Sequence, residues 1–176
     1  MRNFIAFTVF VAWVLVFGGS STCSPSWCAY EELKHDSVAA RDDYSALSNI
    51  NARIETAIER ARTSGSRAVY ALELLLANNL MRLDMAEDAA VHYENSYSAA
   101  DPEKRYRIGI ALWNAKKTAA DSILRACKDS CTKDDFVRAG TIYRWLQARK
   151  ELVPTDWYEK VAGDIDIGIR RTQRKQ

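Results

Sequence analysis

The chain has 176 residues, a length that fits one domain with a modest core. Seven glycines and three prolines are too few turn formers for a sandwich, a barrel or a propeller. With 25 Lys and Arg against 23 Asp and Glu, the formal charge of +2 leaves no basic surplus of the kind a general nucleic-acid binder needs.

The N-terminus carries the first strong pattern. Met1-Arg2-Asn3 is a short positive start, Phe4 to Phe17 is a run of fourteen residues without a charge, and Gly18-Gly19-Ser20-Ser21-Thr22 follows. That order is the order of a secretory signal. As a helix the apolar run reaches about 21 Å, short of the roughly 30 Å hydrocarbon core of a bilayer. Residues 1–22 are therefore read as an export signal cut before Thr22 or Cys23, with an uncleaved anchor as the other reading. Cys23 is also a candidate lipidation site. Ser20-Ser21-Thr22 departs, however, from the bacterial lipobox, which carries an aliphatic residue three before the cysteine.

Residues 23–35 read as a cysteine-containing linker. The four cysteines fall in two close pairs, Cys23/Cys28 and Cys127/Cys131. In an oxidising compartment disulfides are their expected state, with three possible connectivities. A four-residue spacing suits a helix interior poorly, so Cys127 and Cys131 are expected at a helix end, near Asp129-Ser130, or bridged to Cys23 or Cys28. An all-cysteine zinc site would want a compact knuckle, and none is written around these residues.

Residues 36–170 read as helix throughout, so the expected class is all-α, with about six or seven helices. From about Asp36 to Thr63, apolar residues recur at Tyr44, Leu47, Ile50, Ile54, Ile58 and Ala61, in steps of three and four. Thr63-Ser64-Gly65-Ser66 ends that helix. Val69 to Leu83 is dense in Leu and Ala, which predicts burial on more than one side. After a break at Asp84, Ala86 to Ala100 carries a face of small and aromatic residues. Asp101-Pro102 starts a further helix. A turn is expected at Lys116-Lys117-Thr118, then helix from Ser122 to Ala126. Thr132 is a plausible cap for a helix with Phe136, Ala139, Tyr143 and Leu146 on one face. Pro154 breaks the chain, and Asp156 to Ile169 forms the last helix. Arg170, Arg171, Arg174 and Lys175 crowd the end, and residues 171–176 read as a basic tail, solvated or facing an anionic surface.

The helix–turn–helix rhythm resembles the tetratricopeptide repeat, W-x2-L-G-x2-Y, then A-x3-F, then P, over 34 residues. Glu73-x2-Leu76-Ala77-x2-Leu80, followed by Ala89-x3-Tyr93 and Pro102, is similar to one full repeat. Phe136-x2-Ala139-Gly140-x2-Tyr143 is similar to the first half of another. Between them Ile110 and Ala111 fit the Leu-Gly pair, while Arg107, Asn114, Ile123 and Cys127 do not fit. The likeness covers about residues 66–170 and implies antiparallel helix pairs stacked as a short superhelix of about three degenerate repeats.

Catalytic patterns are not written in the chain: G-x-S-x-G, H-E-x-x-H, P-loop and G-x-G-x-x-G are all missing. His92 lies four after Asp88, a spacing that could share a metal but fits a solvated helix face better. Glu31-Glu32, Asp42-Asp43 and Asp134-Asp135 are adjacent pairs that diverge on a helix. The expectation is a non-enzymatic protein without a cofactor.

What the family likeness implies for binding is a groove lined by the first helix of each pair. Its positions here are Ala71, Leu74, Asn78, Met81 and Arg82, then Arg105, Ile108, Leu112 and Lys116, then Asp134, Val137, Thr141, Arg144 and Trp145. The residues expected to contact a partner are Asn78, Arg82, Arg105, Lys116, Arg144 and Trp145. Four cations against Asp134 fit a protein segment with acidic residues and an apolar anchor. The family's carboxylate clamp is incomplete, because Leu74 and Asp134 stand where it has lysines. The function expected is an exported interaction module, a scaffold or assembly factor in the periplasm or at a membrane face, touching membrane only through its N-terminus. An inhibitor or immunity-type protein, or an envelope-polymer hydrolase without a motif, are the alternatives.

Overall fold

The computed structural model describes residues 23–41, 43–127 and 131–174. The expected signal, Asp129-Ser130 and Lys175 lie outside these residues. Seven α-helices follow one another: α1 (Pro25–Ala39), α2 (Tyr44–Thr63), α3 (Val69–Arg82), α4 (Ala86–Ala99), α5 (Pro102–Ala126), α6 (Lys133–Ala148) and α7 (Thr155–Gln173), with a 3₁₀ turn at Lys150–Leu152. No strand occurs among the described residues, so the class is all-α as expected.

Two boundaries differ from the expectation near the start. The segment 23–35 is not a linker. Pro25 opens α1 at a position where its fixed φ and missing N–H suit the first turn. Trp27, Tyr30, Leu33 and Ser37, spaced three and four apart, turn its inner side to the rest of the protein. The stretch 36–63 is two helices rather than one. Arg41 takes a left-handed φ of 44°, and Asp43 caps the new helix by accepting the Ala46 N–H at 2.9 Å. Such a carboxylate satisfies an amide that would otherwise have no partner.

The third difference shapes the whole array. No turn forms at Lys116-Lys117-Thr118, and α5 runs unbroken for 25 residues. Residues 110–126 contain no Gly or Pro to stop it. Ala115, Ala119, Ala120 and Ile123 continue the buried stripe past the lysines, and Lys117 pairs with Asp121 one turn on at 2.7 Å. Thr132 does cap α6, in a reciprocal box with Asp135. Hydrogen bonds from Thr132 hold the Asp135 carboxyl below its usual range. Helix α7 continues to Gln173, so Arg170 and Arg171 project from a helix instead of a tail, and buried Thr172 closes its last turn by bonding the Ile169 carbonyl.

Each helix runs antiparallel to the next. Arg53 of α2 reaches Glu32 and Asp36 of α1. Asn51 meets Asn79 while Arg62 meets Glu73, across α2 and α3. Tyr70 pairs with Ser96 and Asn78 with Tyr93, across α3 and α4. Lys116 of α5 meets Glu94 of α4, and Trp113 of α5 meets Leu146 of α6. Alternate helices also touch. Ser37 of α1 bonds Asn79 of α3, Lys104 of α5 stands 4.3 Å over the Tyr70 ring of α3, and Trp113 of α5 packs on Trp157 of α7. In the other set Arg138 of α6 reaches Glu87 of α4. The result is two layers, α1/α3/α5/α7 and α2/α4/α6.

The core divides in two. Ile50, Ile54, Ile58, Leu72, Leu76, Leu80 and Tyr93 fill the first half, and Trp113, Ile123, Leu124, Tyr143, Leu146 and Ile165 fill the second. Half-buried Trp145 packs against both. Inside the first half, the buried Asn79 amide donates to Ser37 Oγ at 3.0 Å and to Asn51 Oδ1 at 2.9 Å. Satisfied in this way, the polar group locks α1, α2 and α3 in one register.

Candidate functional site

Helices α1 and α3 leave a cleft of about 270 Å³ between them, mostly apolar in its walls. Tyr30, Lys34 and Val38 line it from α1, and Leu74, Asn78 and Arg82 from α3. Arg82 donates to the Ser37 carbonyl at 2.8 Å and so serves the C-terminal end of α1, where carbonyls lack helical partners and a cation is favoured. Asn78 accepts a hydrogen bond from the Tyr93 hydroxyl at 2.7 Å. Burial pushes the Tyr93 phenol up to about 12 and raises that of Tyr30. Asn78 and Arg82 thus share one wall of this cleft, and α1, expected to be part of a linker, forms the other.

The other four expected contact residues lie elsewhere. Arg105 donates to the Ala100 carbonyl at 3.0 Å and faces the Tyr97 ring, at the junction of α4 and α5. Lys116 pairs with Glu94 at 3.3 Å and sits 4.9 Å over the Trp145 ring. Arg144 is exposed on α6 and reaches only Thr141 of its own helix. Since α5 is one helix where the repeat count had two, α6 falls in the α2/α4 layer, away from α3. Arg144 and Trp145 therefore do not continue the Asn78–Arg82 surface. Ile108 and Leu112, expected to line the groove, are core residues, whereas Ala71, also buried, forms part of the α1–α3 cleft.

Two polar clusters escaped sequence reading. Glu73 is 0% exposed and stands at the position where the repeat pattern has Trp. Its carboxylate receives Arg62 Nη2 at 2.5 Å and lies 2.7 Å from His92 Nδ1. His92 is therefore held by Glu73 rather than paired with Asp88 on a solvated face. A cleft of about 430 Å³ opens beside them, with Glu55 and Glu59 on its rim. A lone acid within a Leu-rich stretch was the available signal, since a buried carboxylate needs a partner and Arg62 and His92 both carry one. In the second half Tyr143 donates to Asp121 at 2.6 Å, and Asp121 also binds Lys117. Burial, reinforced by the Asp121 hydrogen bond, drives the Tyr143 phenol far above the ordinary tyrosine range. No group of three or more His, Cys, Asp or Glu side chains among the described residues is arranged to hold a metal ion.

Cys127 and Cys131 are bonded, with Cα atoms 4.7 Å apart, inside the usual span for a disulfide. Cys127 is the C-cap of α5, so the pair sits at a helix end as expected. Cys23 and Cys28 are exposed thiols, and Cys28 Sγ donates to the Cys23 carbonyl at 3.3 Å. Contact with the Cys28 thiol raises that of Cys23 to about 11. No helix among the described residues is long and apolar enough to cross a membrane.

Comparison of the chain with known protein families, with curated proteins and with solved structures finds no match.

Proposed function

We propose that this is an exported, non-enzymatic protein of tetratricopeptide-like build that binds another protein. The observation that carries the reading is the α1–α3 cleft: an apolar trough with the cations Lys34 and Arg82 on its wall. A partner segment with an apolar anchor beside a carboxylate complements it in shape and charge. Support for the repeat likeness comes from α3 and α4, where the motif residues Leu76, Ala77, Leu80, Ala89 and Tyr93 are all buried. Small side chains there allow the two helices to approach closely. A role as scaffold or assembly factor at an envelope is what the repeat likeness implies when joined to the export signal read in residues 1–22.

Two measurements test the two parts of the proposal. Intact-mass analysis of the protein recovered from cells should give a first residue of Thr22 or Cys23, with lipid mass added if Cys23 is modified. A chain beginning at Met1 would overturn the cleaved signal. A photo-crosslinker at Leu74 identifies the partner. Against that partner, K34E/N78D should weaken binding by more than about tenfold through reversed charge, with an unchanged melting temperature. Equal affinity of parent and variant would dismiss the cleft.

A further inference from the structure

Near-neutrality of the whole chain hides a strong division. Residues 23–99 hold 7 Lys and Arg against 12 Asp and Glu, whereas residues 100–176 hold 17 against 11. The division comes to the surface where α4 and α6 lie side by side. Helix α4 has Glu87, Asp88 and Glu94 and no Lys or Arg. Helix α6 has Lys133, Arg138 and Arg144, and its two acids, Asp134 and Asp135, are confined to the first turn.

The two helices run parallel and in a definite register. Arg138 Nε is 3.3 Å from Glu87, while Lys116 bridges Glu94 to the Trp145 ring one to two turns further on. Glu87 and Asp88 are thus level with Arg138, and Glu94 is level with Arg144 and Trp145. Both helices also present an apolar side chain to solvent, Val91 at 57% and Val137 at 41% exposure. Asp88 and Arg144 have no ion-pair partner among the described residues.

We infer that this face binds a second copy of the chain across a two-fold axis. An axis running between α4 and α6, parallel to both, places α4 of each copy over α6 of the other. Level residues then meet across the interface, Asp88 against Arg138 and Glu94 against Arg144, and each contact occurs twice. The same operation covers Val91 and Val137 in both copies. One chain carries both the acidic stripe and its complement, side by side at matching heights, and this points to a second copy over an unrelated partner.

The face is small. Two helices about 21–24 Å long, joined by side chains rather than by close backbone packing, offer less than the roughly 800 Å² per partner of a standard interface. The dimer is accordingly weak, concentration-dependent and sensitive to salt, because its contacts are charged and near the surface. It uses the layer opposite the α1–α3 cleft, so its fate is independent of the partner-binding proposal.

Sedimentation equilibrium of the purified protein at about 100 µM should give twice the chain mass at low salt and fall toward one chain mass near 0.5 M salt, where the Debye length shrinks to about 4 Å. The variants D88K/E94K and R138E/R144E should each self-associate at least tenfold more weakly. Their equimolar mixture should regain the dimer, since the reversed α4 of one then faces the reversed α6 of the other. That recovery also shows both variants to be folded, and circular dichroism of each alone checks it separately. A parent that stays monomeric at low salt overturns the inference. So does a dimer that neither variant weakens, or a mixture of folded variants that remains monomeric.

Discussion

Trp113→Ala is expected to cost the protein about 3–5 kcal/mol of stability, a fall of about 10 °C in melting temperature for a chain of this size. Trp113 is 0% exposed, and three helices depend on it. Its ring meets Trp157 edge-on at 5.1 Å and Tyr158 at 6.3 Å, and its Nε1 donates to the Leu146 carbonyl at 3.2 Å. Truncation removes a large apolar volume, two aromatic contacts and the bond that holds α6 against α5. Trp113→Phe separates these parts: most of the ring packing stays, and the unpaired Leu146 carbonyl should account for about 1–3 kcal/mol. Urea unfolding followed by circular dichroism measures both. A loss under about 1 kcal/mol for the alanine variant would mean that the second half of the core is not built around this ring.

Two glycines of the same helix should respond with opposite sign. A Cβ on Gly168 would stand 2.6–2.8 Å from three ring atoms of Tyr143, a contact real structures do not show. The ring cannot move aside freely, because its hydroxyl is tied to Asp121 and its face is buried. Gly168→Ala should therefore destabilise by about 1–3 kcal/mol through overpacking, outweighing the gain of up to about 1 kcal/mol from better helix propensity. Gly163 has nothing within 4 Å of its would-be Cβ, so Gly163→Ala should show only that gain, about 0.5–1 kcal/mol. Replacing Tyr143 with Leu in the Gly168→Ala background should recover part of the loss, a coupling expected only of residues in contact. Equal effects at both glycines would contradict the packing of α7 on α6.

The α5 segment shows where reading a sequence fails. Lys116-Lys117-Thr118 looked like a turn because three polar residues interrupt an apolar pattern. Yet none of them stops a helix, and the stripe through Ala115, Ala119 and Ala120 passes beneath them. One missing turn then moved Arg144 and Trp145 to the opposite layer from Asn78 and Arg82. The start of the domain erred the other way. Cysteines and charges between Cys23 and His35 suggested a linker, while the inner edge at Trp27, Tyr30, Leu33 and Ser37 is narrow enough to pass unnoticed.

The sequence by itself determined the all-α class, most of the helix ends and the place of the Cys127–Cys131 pair at one of them. These are local properties, set by a 3.6-residue rhythm and by a few residues that act within one turn: Asp84 through its left-handed φ, Thr132 through its side chain and Pro154 through its missing N–H. Only the tertiary structure decided which helices share a layer, that Glu73 holds Arg62 and His92, and that the acids of α4 lie beside the cations of α6. Those facts depend on side chains many residues apart meeting in space, and a partner that far along the chain leaves no period or spacing in the sequence to read.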